Sequence, residues 1–302
     1  MPLGGWRGRR EPLQFITALA ELIRLEKPYG ALLLLWPSLW ALAIAGEGRP
    51  PVRLVGLFCL GAWVMRSAGC AMNDLADRNI DGKVARTAHR PLPSGRLTPI
   101  EAIITVVALL LIAAWIVWQL PLLTRWLSLP GVLLAAGYPL TKRVFPAPQF
   151  VMGVAFGWGV PMAWSAVRSS LDPTAWLLFA ATVCWAAAYD TIYALMDAAD
   201  DARLGVHSTA RLFGRRSWLA VMGLELAMLA LLAQAGVRAE LHPLYFSALA
   251  AAGLLFLYQL PHVKMQPDRE TAFRLFRAHV GVGLIILLGI ELDYALTPMV
   301  VR

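Results

Sequence analysis

Charge is in short supply: Asp, Glu, Lys and Arg make up 15% of the 302 residues, where a soluble domain carries about 25%. That scarcity argues against a chain bathed in water on all sides. The 59% hydrophobic content, with 12 Trp, points to lipid as the solvent. Cysteine is scarcer still. Cys59, Cys70 and Cys184 all fall inside apolar stretches, with no CxxC or Cys/His spacing, which argues against a disulfide framework and a zinc site. The five histidines are scattered, none at i, i+4 from another ligand-type residue. The basic N-terminal stretch (Arg7, Arg9, Arg10) has neither the short apolar core nor the small-residue cleavage site of a signal peptide. It reads as a cytoplasmic tail entering an interfacial helix near Leu13–Leu25.

Long apolar runs are abundant. A bilayer core takes about 20 consecutive apolar residues per helix, and nine runs approach or reach that length: Tyr29–Ala45, Leu54–Met72, Ile100–Leu120, Leu122–Leu140, Phe150–Val167, Pro173–Met196, Trp218–Val237, Pro243–Leu260 and Val280–Leu296. The expectation is an all-α, multi-spanning membrane protein, with nine transmembrane helices in a bundle around a central cavity and cytoplasmic loops capping it. Residues 1–28 form the tail and interfacial helix, and residues 29–302 a single transmembrane domain. Within it, two four-helix halves (about 29–142 and 149–262) precede a ninth helix.

Orientation follows from the basic residues. Most of the 27 Lys and Arg lie on segments that are inside if the N-terminus is inside. The outer segments hold only Arg49, Arg53, Arg125, Arg168, Arg238 and Arg302. This skew places the ends of the even-numbered helices in the cytoplasm. The net charge of +8 is accounted for by topology, and nucleic-acid binding has no further support.

Two inner loops, Asn73–Pro99 and Asp197–Ser217, begin with spaced aspartates and continue into basic residues. In the first, Asn73, Asp77 and Asp81 lie at i, i+4 and i+8, so a helical end stacks them on one face. Three oxygen ligands aimed one way repel each other unless a cation sits between them, and hard oxygen donors with room for phosphate suit Mg2+. Lys83, Arg86 and Arg90 follow, cations matched to phosphate oxygens. A solvated, charged loop capping the second helix is the plainer alternative. Arg66, seven residues before Asn73 and inside an apolar run, is either an anion contact or an anchor that snorkels to the interface.

The second loop repeats the pattern. Asp190, Asp197 and Asp201 fall at i, i+7 and i+11, with Tyr193 at i+3, so a continuous helix puts all four on one stripe. Asp190 lies within an apolar run, where a carboxylate calls for a function. Two such stripes in matching positions of two halves can face each other and hold one polyanion through bridging metal. A third inner segment, Tyr138-Pro139-Leu140-Thr141-Lys142-Arg143, offers Lys142 and Tyr138 either to phosphate or as an ordinary membrane anchor. Glu225, inside the seventh run, has no evident partner in the sequence.

The segments Leu32–Leu42, Met65–Thr98, Tyr138–Arg143, Ala155–Ala163 and Trp185–Gly214 resemble the UbiA superfamily of intramembrane prenyltransferases, and the helix count agrees along the chain. The aspartate motifs mark the superfamily, while the GCAMND and RPLPSG context resembles its hydroxybenzoate branch. The resemblance implies Mg2+ and diphosphate binding through Asn73, Asp77, Asp81, Asp197 and Asp201. It implies diphosphate contacts by Arg86, Arg90, Tyr138 and Lys142, and places Arg66 and Asp190 at an aromatic acceptor. The partners it implies are a polyprenyl diphosphate, 4-hydroxybenzoate and membrane lipid, in a bacterial inner membrane with the active site facing the cytoplasm. One departure is Ala198-Ala199, where the family commonly carries charge between the aspartates.

Motifs and resemblance together give a mechanism. Metal-assisted departure of diphosphate leaves an allylic cation at C1 of the prenyl chain, which aromatic faces stabilise. The phenol ring attacks from the carbon ortho to its hydroxyl. Asp190 orients or deprotonates the phenol while Arg66 pairs with the carboxylate.

Two other classes fit less well. A CDP-alcohol phosphotransferase would share Asp81-Gly82-Lys83-Val84-Ala85-Arg86 and Gly95, but needs aspartates where Pro99 and Ile103 stand. A transporter would place its polar site near mid-membrane rather than at cytoplasmic helix ends. Other aromatic acceptors within the superfamily stay open.

Overall fold

The computed structural model describes residues 11–82 and 87–297. Arg86, one of the expected diphosphate contacts, lies outside the described residues. Among these residues all regular structure is helical: α1 (Pro12–Leu22), α2 (Tyr29–Ala45), α3 (Val52–Asp81), α4 (Pro99–Trp118), α5 (Leu122–Thr141), α6 (Pro148–Gly157), α7 (Gly159–Arg168), α8 (Pro173–Leu195), α9 (Ala198–Leu204), α10 (Thr209–Phe213), α11 (Ser217–Arg238), α12 (Pro243–Lys264) and α13 (Arg269–Leu296). A single 3-10 turn at Gly214–Arg216 precedes α11.

Local chemistry sets these boundaries. At the start of α4, Thr98 N–H donates to Glu101 at 2.6 Å and Glu101 N–H donates back to the Thr98 hydroxyl at 3.3 Å. This is a reciprocal cap followed by Pro99 at the first helical position. Asp172 caps α8 by accepting from the backbone of Thr174 and Ala175, and Asp268 caps α13 by accepting from Thr271. The apolar run Phe150–Val167 is split between α6 and α7 at Trp158. Pro161 has no N–H to give to the Gly157 carbonyl one turn back, and its ring crowds that carbonyl.

Seven helical stretches among the described residues are long and apolar enough to cross a bilayer: 52–79, 99–118, 148–168, 173–195, 209–238, 243–264 and 269–296. The apolar helix α2 is shorter, at 17 residues. The 20-residue α5, which carries Arg125, Pro130 and Pro139, is not among the seven. The apolar side chains left exposed are those lipid would cover. On α4, Ile104 is 63%, Leu111 66% and Trp115 60% exposed, an arrangement that water would penalise and hydrocarbon would not.

The described residues form two compact units, one from the ranges 11–28 and 64–113 and the other from 29–63 and 114–297. In the first, Ala18 and Leu22 of α1 bury fully against Ala71 of α3, Leu92 and Leu97 of the following loop, and Ala102 and Val106 of α4. In the second, α8 is central and packs against α6, α11 and α13, burying Leu178, Trp185, Tyr189 and Ile192. Gly283 of α13 permits close approach to α2. Its carbonyl accepts from the Trp40 indole at 3.0 Å, and a Cβ there would run into the Trp36 and Trp185 rings.

The expectation of one continuous stripe through Asp190, Tyr193, Asp197 and Asp201 requires correction. Asp190 and Tyr193 lie on α8, which ends at Leu195; Asp197 sits in the break, and Asp201 lies on α9. Asp197 and Asp201 nonetheless stay one turn apart, because Asp201 N–H donates to the Asp197 carbonyl at 2.8 Å.

Candidate active site

In the first unit, α3 continues beyond its apolar span as one unbroken helix to Asp81, which keeps Asn73, Asp77 and Asp81 on one rod. Asp77 and Asp81 are buried and Asn73 is half-buried. Asp74, which the spacing argument passed over, is buried as deeply as Asp77. Residues 74, 77 and 81 follow the i, i+3, i+7 rule of a helix face turned inward.

Two guanidinium groups meet these carboxylates. Nη2 of Arg24 donates to both oxygens of Asp74, at 2.8 and 2.9 Å. Nη1 of Arg90 donates to Asp74 Oδ1 at 3.0 Å and to Asp81 Oδ2 at 2.8 Å. The carboxyl of Asp81 is nevertheless held above the ordinary aspartate range. Burial is the largest cause, and the charges of Asp74 and Asp77 add to it while Arg90 opposes it. The Thr87 hydroxyl closes the turn by donating to the Asp81 carbonyl at 2.7 Å. Arg66 lies half-buried on α3.

In the second unit, the loop after α8 is tied to the end of α5. His207 N–H donates to the Lys142 carbonyl at 2.9 Å, which brings Lys142 near enough to act on Asp201 electrostatically. Burial, and next the charge of Asp197, push Asp201 up to about 6, against the Ser208 hydroxyl and the charges of Lys142 and Arg211. Arg211 Nη1 also donates to the carbonyls of Asp201, at 3.2 Å, and Val206, stapling α9 to the start of α10. Arg269 Nε donates to the Met196 carbonyl at 3.0 Å across the break that carries Asp197. Tyr138, Asp190 and Lys142 are half-buried.

Both aspartate sets fit a hard divalent cation by donor chemistry. They offer oxygen only, and neighbouring carboxylates raise the proton affinity of Asp81, through Asp74 and Asp77, and of Asp201, through Asp197. Among the described residues, no three or more His, Cys, Asp or Glu side chains form a ready-made cage. Mg2+ usually takes only one or two carboxylates, keeping water and substrate phosphate for the rest of its shell.

The second unit also holds polar and aromatic groups that sequence alone left unconnected. Gln259 donates to Glu225, and His279 Nε2 stands 3.8 Å from the same Glu225 oxygen. The Trp185 indole donates to His279 Nδ1 at 2.9 Å; with Nδ1 accepting, the neutral ring carries its proton on Nε2, toward Glu225. Trp185 meets Tyr189 edge-on at 5.4 Å, Tyr189 meets Phe276 at 5.8 Å, and Tyr193 meets Phe276 at 4.9 Å. Tyr193 is half-buried where Tyr189 is buried.

The profile of the UbiA prenyltransferase family matches residues 34–280. Over 277 residues the chain is 46% identical to the 4-hydroxybenzoate octaprenyltransferase of Serratia proteamaculans (strain 568), covering 92% of this chain and 95% of that protein. It is 50% identical over 273 residues to the protein of the same name from Tolumonas auensis, covering 90% and 95%. Among solved structures, an apo UbiA homolog from Aeropyrum pernix K1 superimposes with a TM-score of 0.74 at 27% identity, covering 86% of this chain and 97% of that one. A UbiA homolog from Archaeoglobus fulgidus, bound to GPP and Mg2+, shares the fold with a TM-score of 0.70 at 15% identity, covering 92% and 100%.

Proposed function

The chain belongs to the UbiA prenyltransferase family, and from that premise we propose that it transfers a polyprenyl group from a polyprenyl diphosphate to 4-hydroxybenzoate. The new bond forms at the ring carbon ortho to the hydroxyl, and diphosphate leaves. The observation that carries this reading is identity of 46–50% to 4-hydroxybenzoate octaprenyltransferases over nine-tenths of the chain. The two oxygen-only aspartate sets agree with it.

Asn73, Asp77, Asp81, Asp197 and Asp201 would hold Mg2+. Bound there, the ion neutralises diphosphate charge and improves the leaving group. Arg90, Lys142 and Tyr138, with Arg86, bind and orient the diphosphate oxygens through charge-assisted hydrogen bonds. Arg66 pairs with the carboxylate of the aromatic acid. Asp190 orients the phenol hydroxyl or accepts its proton, raising electron density at the ortho carbon. That carbon attacks C1 of the prenyl group as the C1–O bond to diphosphate breaks, and loss of the ring proton restores aromaticity. The half-buried ring of Tyr193 can stabilise the allylic cation through its face without reacting with it, and the apolar helices around it keep water away.

In this reading all nine apolar runs span a bacterial inner membrane, as two four-helix halves and a ninth helix, with the loops at 73–99 and 197–217 on the cytoplasmic side. Membrane lipid then takes up the isoprenoid tail. The test is turnover of purified protein in detergent. A chelator should stop it and added Mg2+ restore it; turnover unaffected by chelator would remove the metal from the reading.

A further inference from the structure

Within the first unit, Arg90 is already held, and what holds it begins in α1. We propose that Arg24 and Asp74 are positioning residues that set the Arg90 guanidinium beside Asp81, so that the N-terminal helix organises a diphosphate-binding cation. This rests on the reading of Arg90 as a diphosphate contact.

The geometry is specific. Helix α1 ends in a left-handed turn at Arg24 (φ 56°), closed by Leu25 N–H donating to the Ala20 carbonyl at 2.9 Å and Arg24 N–H donating to the Glu21 carbonyl at 3.1 Å. That turn, with Arg24 Nη1 donating to the Glu21 carbonyl at 2.6 Å, fixes the direction in which the side chain leaves. Its Nη2 then takes both oxygens of Asp74, whose side chain is 1% exposed. A carboxylate so deeply buried needs cations around it, and Asp74 has two, Arg24 and Arg90. Without Asp74, the Arg90 contact to Asp81 would be a single hydrogen bond on a long, rotatable side chain; with it, Nη1 is held between two carboxylates.

The same helix secures the other end of the loop. Glu21 takes Arg96 through two parallel hydrogen bonds at 2.8 and 2.5 Å, which hold its carboxyl below the ordinary range. Arg96 also donates to the His89 carbonyl at 2.7 Å. Between the two pairs, Ala18 and Leu22 cover Leu92 and Leu97. Helix α1 is thus fastened to α3 through Asp74 and to the loop beyond Arg90 through Leu92, Arg96 and Leu97. Asp74 contacts two arginines and Asp81 one, so Asp74 is the anchor of this helix face, and Asp77 and Asp81 are left as the ligands that the proposed function assigns to Mg2+.

The test is a double-mutant cycle on the purified protein, with KM measured separately for prenyl diphosphate and for the aromatic acid. Asp74→Asn should raise KM for prenyl diphosphate about tenfold or more, the scale of one lost hydrogen bond to a charged group, and leave KM for the aromatic acid within about twofold. In an Arg90→Ala background the same substitution should add almost nothing. Arg24→Ala should reproduce the effect and Arg24→Lys restore part of it; this pair decides the matter if Asp74→Asn fails to fold. Full additivity with Arg90→Ala, an equal rise in both KM values, or a lowered melting temperature with unchanged kinetics would overturn the proposal. An Arg90→Ala protein with unchanged prenyl diphosphate KM would instead remove the assignment of Arg90 itself, and the positioning role with it.

Discussion

Protons and Mg2+ should compete for Asp201, and the structure sets both the pH and the size of the effect. Burial and the charge of Asp197 push this carboxyl up to about 6, with Lys142 and Arg211 pulling it back. Only the ionised form is a ligand, so metal affinity should rise with pH through about 6 and level off above it. At pH 8 nearly all of Asp201 is ionised; at pH 5 about nine molecules in ten carry the proton, so the apparent dissociation constant should be about tenfold weaker, or about 1.4 kcal/mol. The assay is a Mg2+ titration by calorimetry without substrate, which keeps the titration of diphosphate out of the measurement. Asp81, whose carboxyl is also raised by burial, adds in the same direction, so Asp201→Asn should remove the step near pH 6 rather than all pH dependence. Arg211→Ala removes a charge that favours the ionised form and should move the midpoint upward. A Mg2+ affinity that stays flat from pH 8 to pH 5, or strengthens as pH falls, would refute the reasoning.

Asp77→Ala and Asp197→Ala should each abolish turnover with the protein still folded in the membrane; full activity in either, read by product formation, would remove that aspartate set from the metal site. Arg66→Ala should chiefly raise KM for the aromatic acid, by the equivalent of about 1.5–3 kcal/mol for a charge-assisted hydrogen bond. A loss confined to prenyl diphosphate affinity would move Arg66 to the phosphate site. Asp190→Asn should cut turnover by roughly 10²–10⁴-fold, the contribution of a positioned acid or base, with prenyl diphosphate binding far less affected. Collapse of that binding would make Asp190 a metal ligand.

Much of the helical architecture was legible because lipid imposes a simple rule, and each of the nine apolar runs is helical over most of its length, the fifth in two helices. The breaks were harder to read. Pro161 acts on a carbonyl one turn upstream, so the interruption falls at Trp158 inside a seamless apolar run. The interruption at Met196–Asp197 likewise has no signal in a stripe counted at 100° per residue. Spacing singled out Asp77 and Asp81 and passed over Asp74, whose burial and whose contacts with Arg24 and Arg90 come from residues distant in the chain. Glu225 lacked a partner in the sequence because Gln259 and His279 stand on two other helices, α12 and α13, distant from it along the chain.

The central claim is a reaction, and its product decides it. The purified protein should be incubated with Mg2+, a polyprenyl diphosphate of defined chain length and 4-hydroxybenzoate, and the extract analysed by mass spectrometry and fragmentation. The account predicts 4-hydroxybenzoate gaining one polyprenyl group on the carbon ortho to its hydroxyl, with release of one diphosphate and no product without Mg2+. A prenyl group on oxygen, transfer only to a different aromatic acceptor, or no transfer by a folded protein would contradict it.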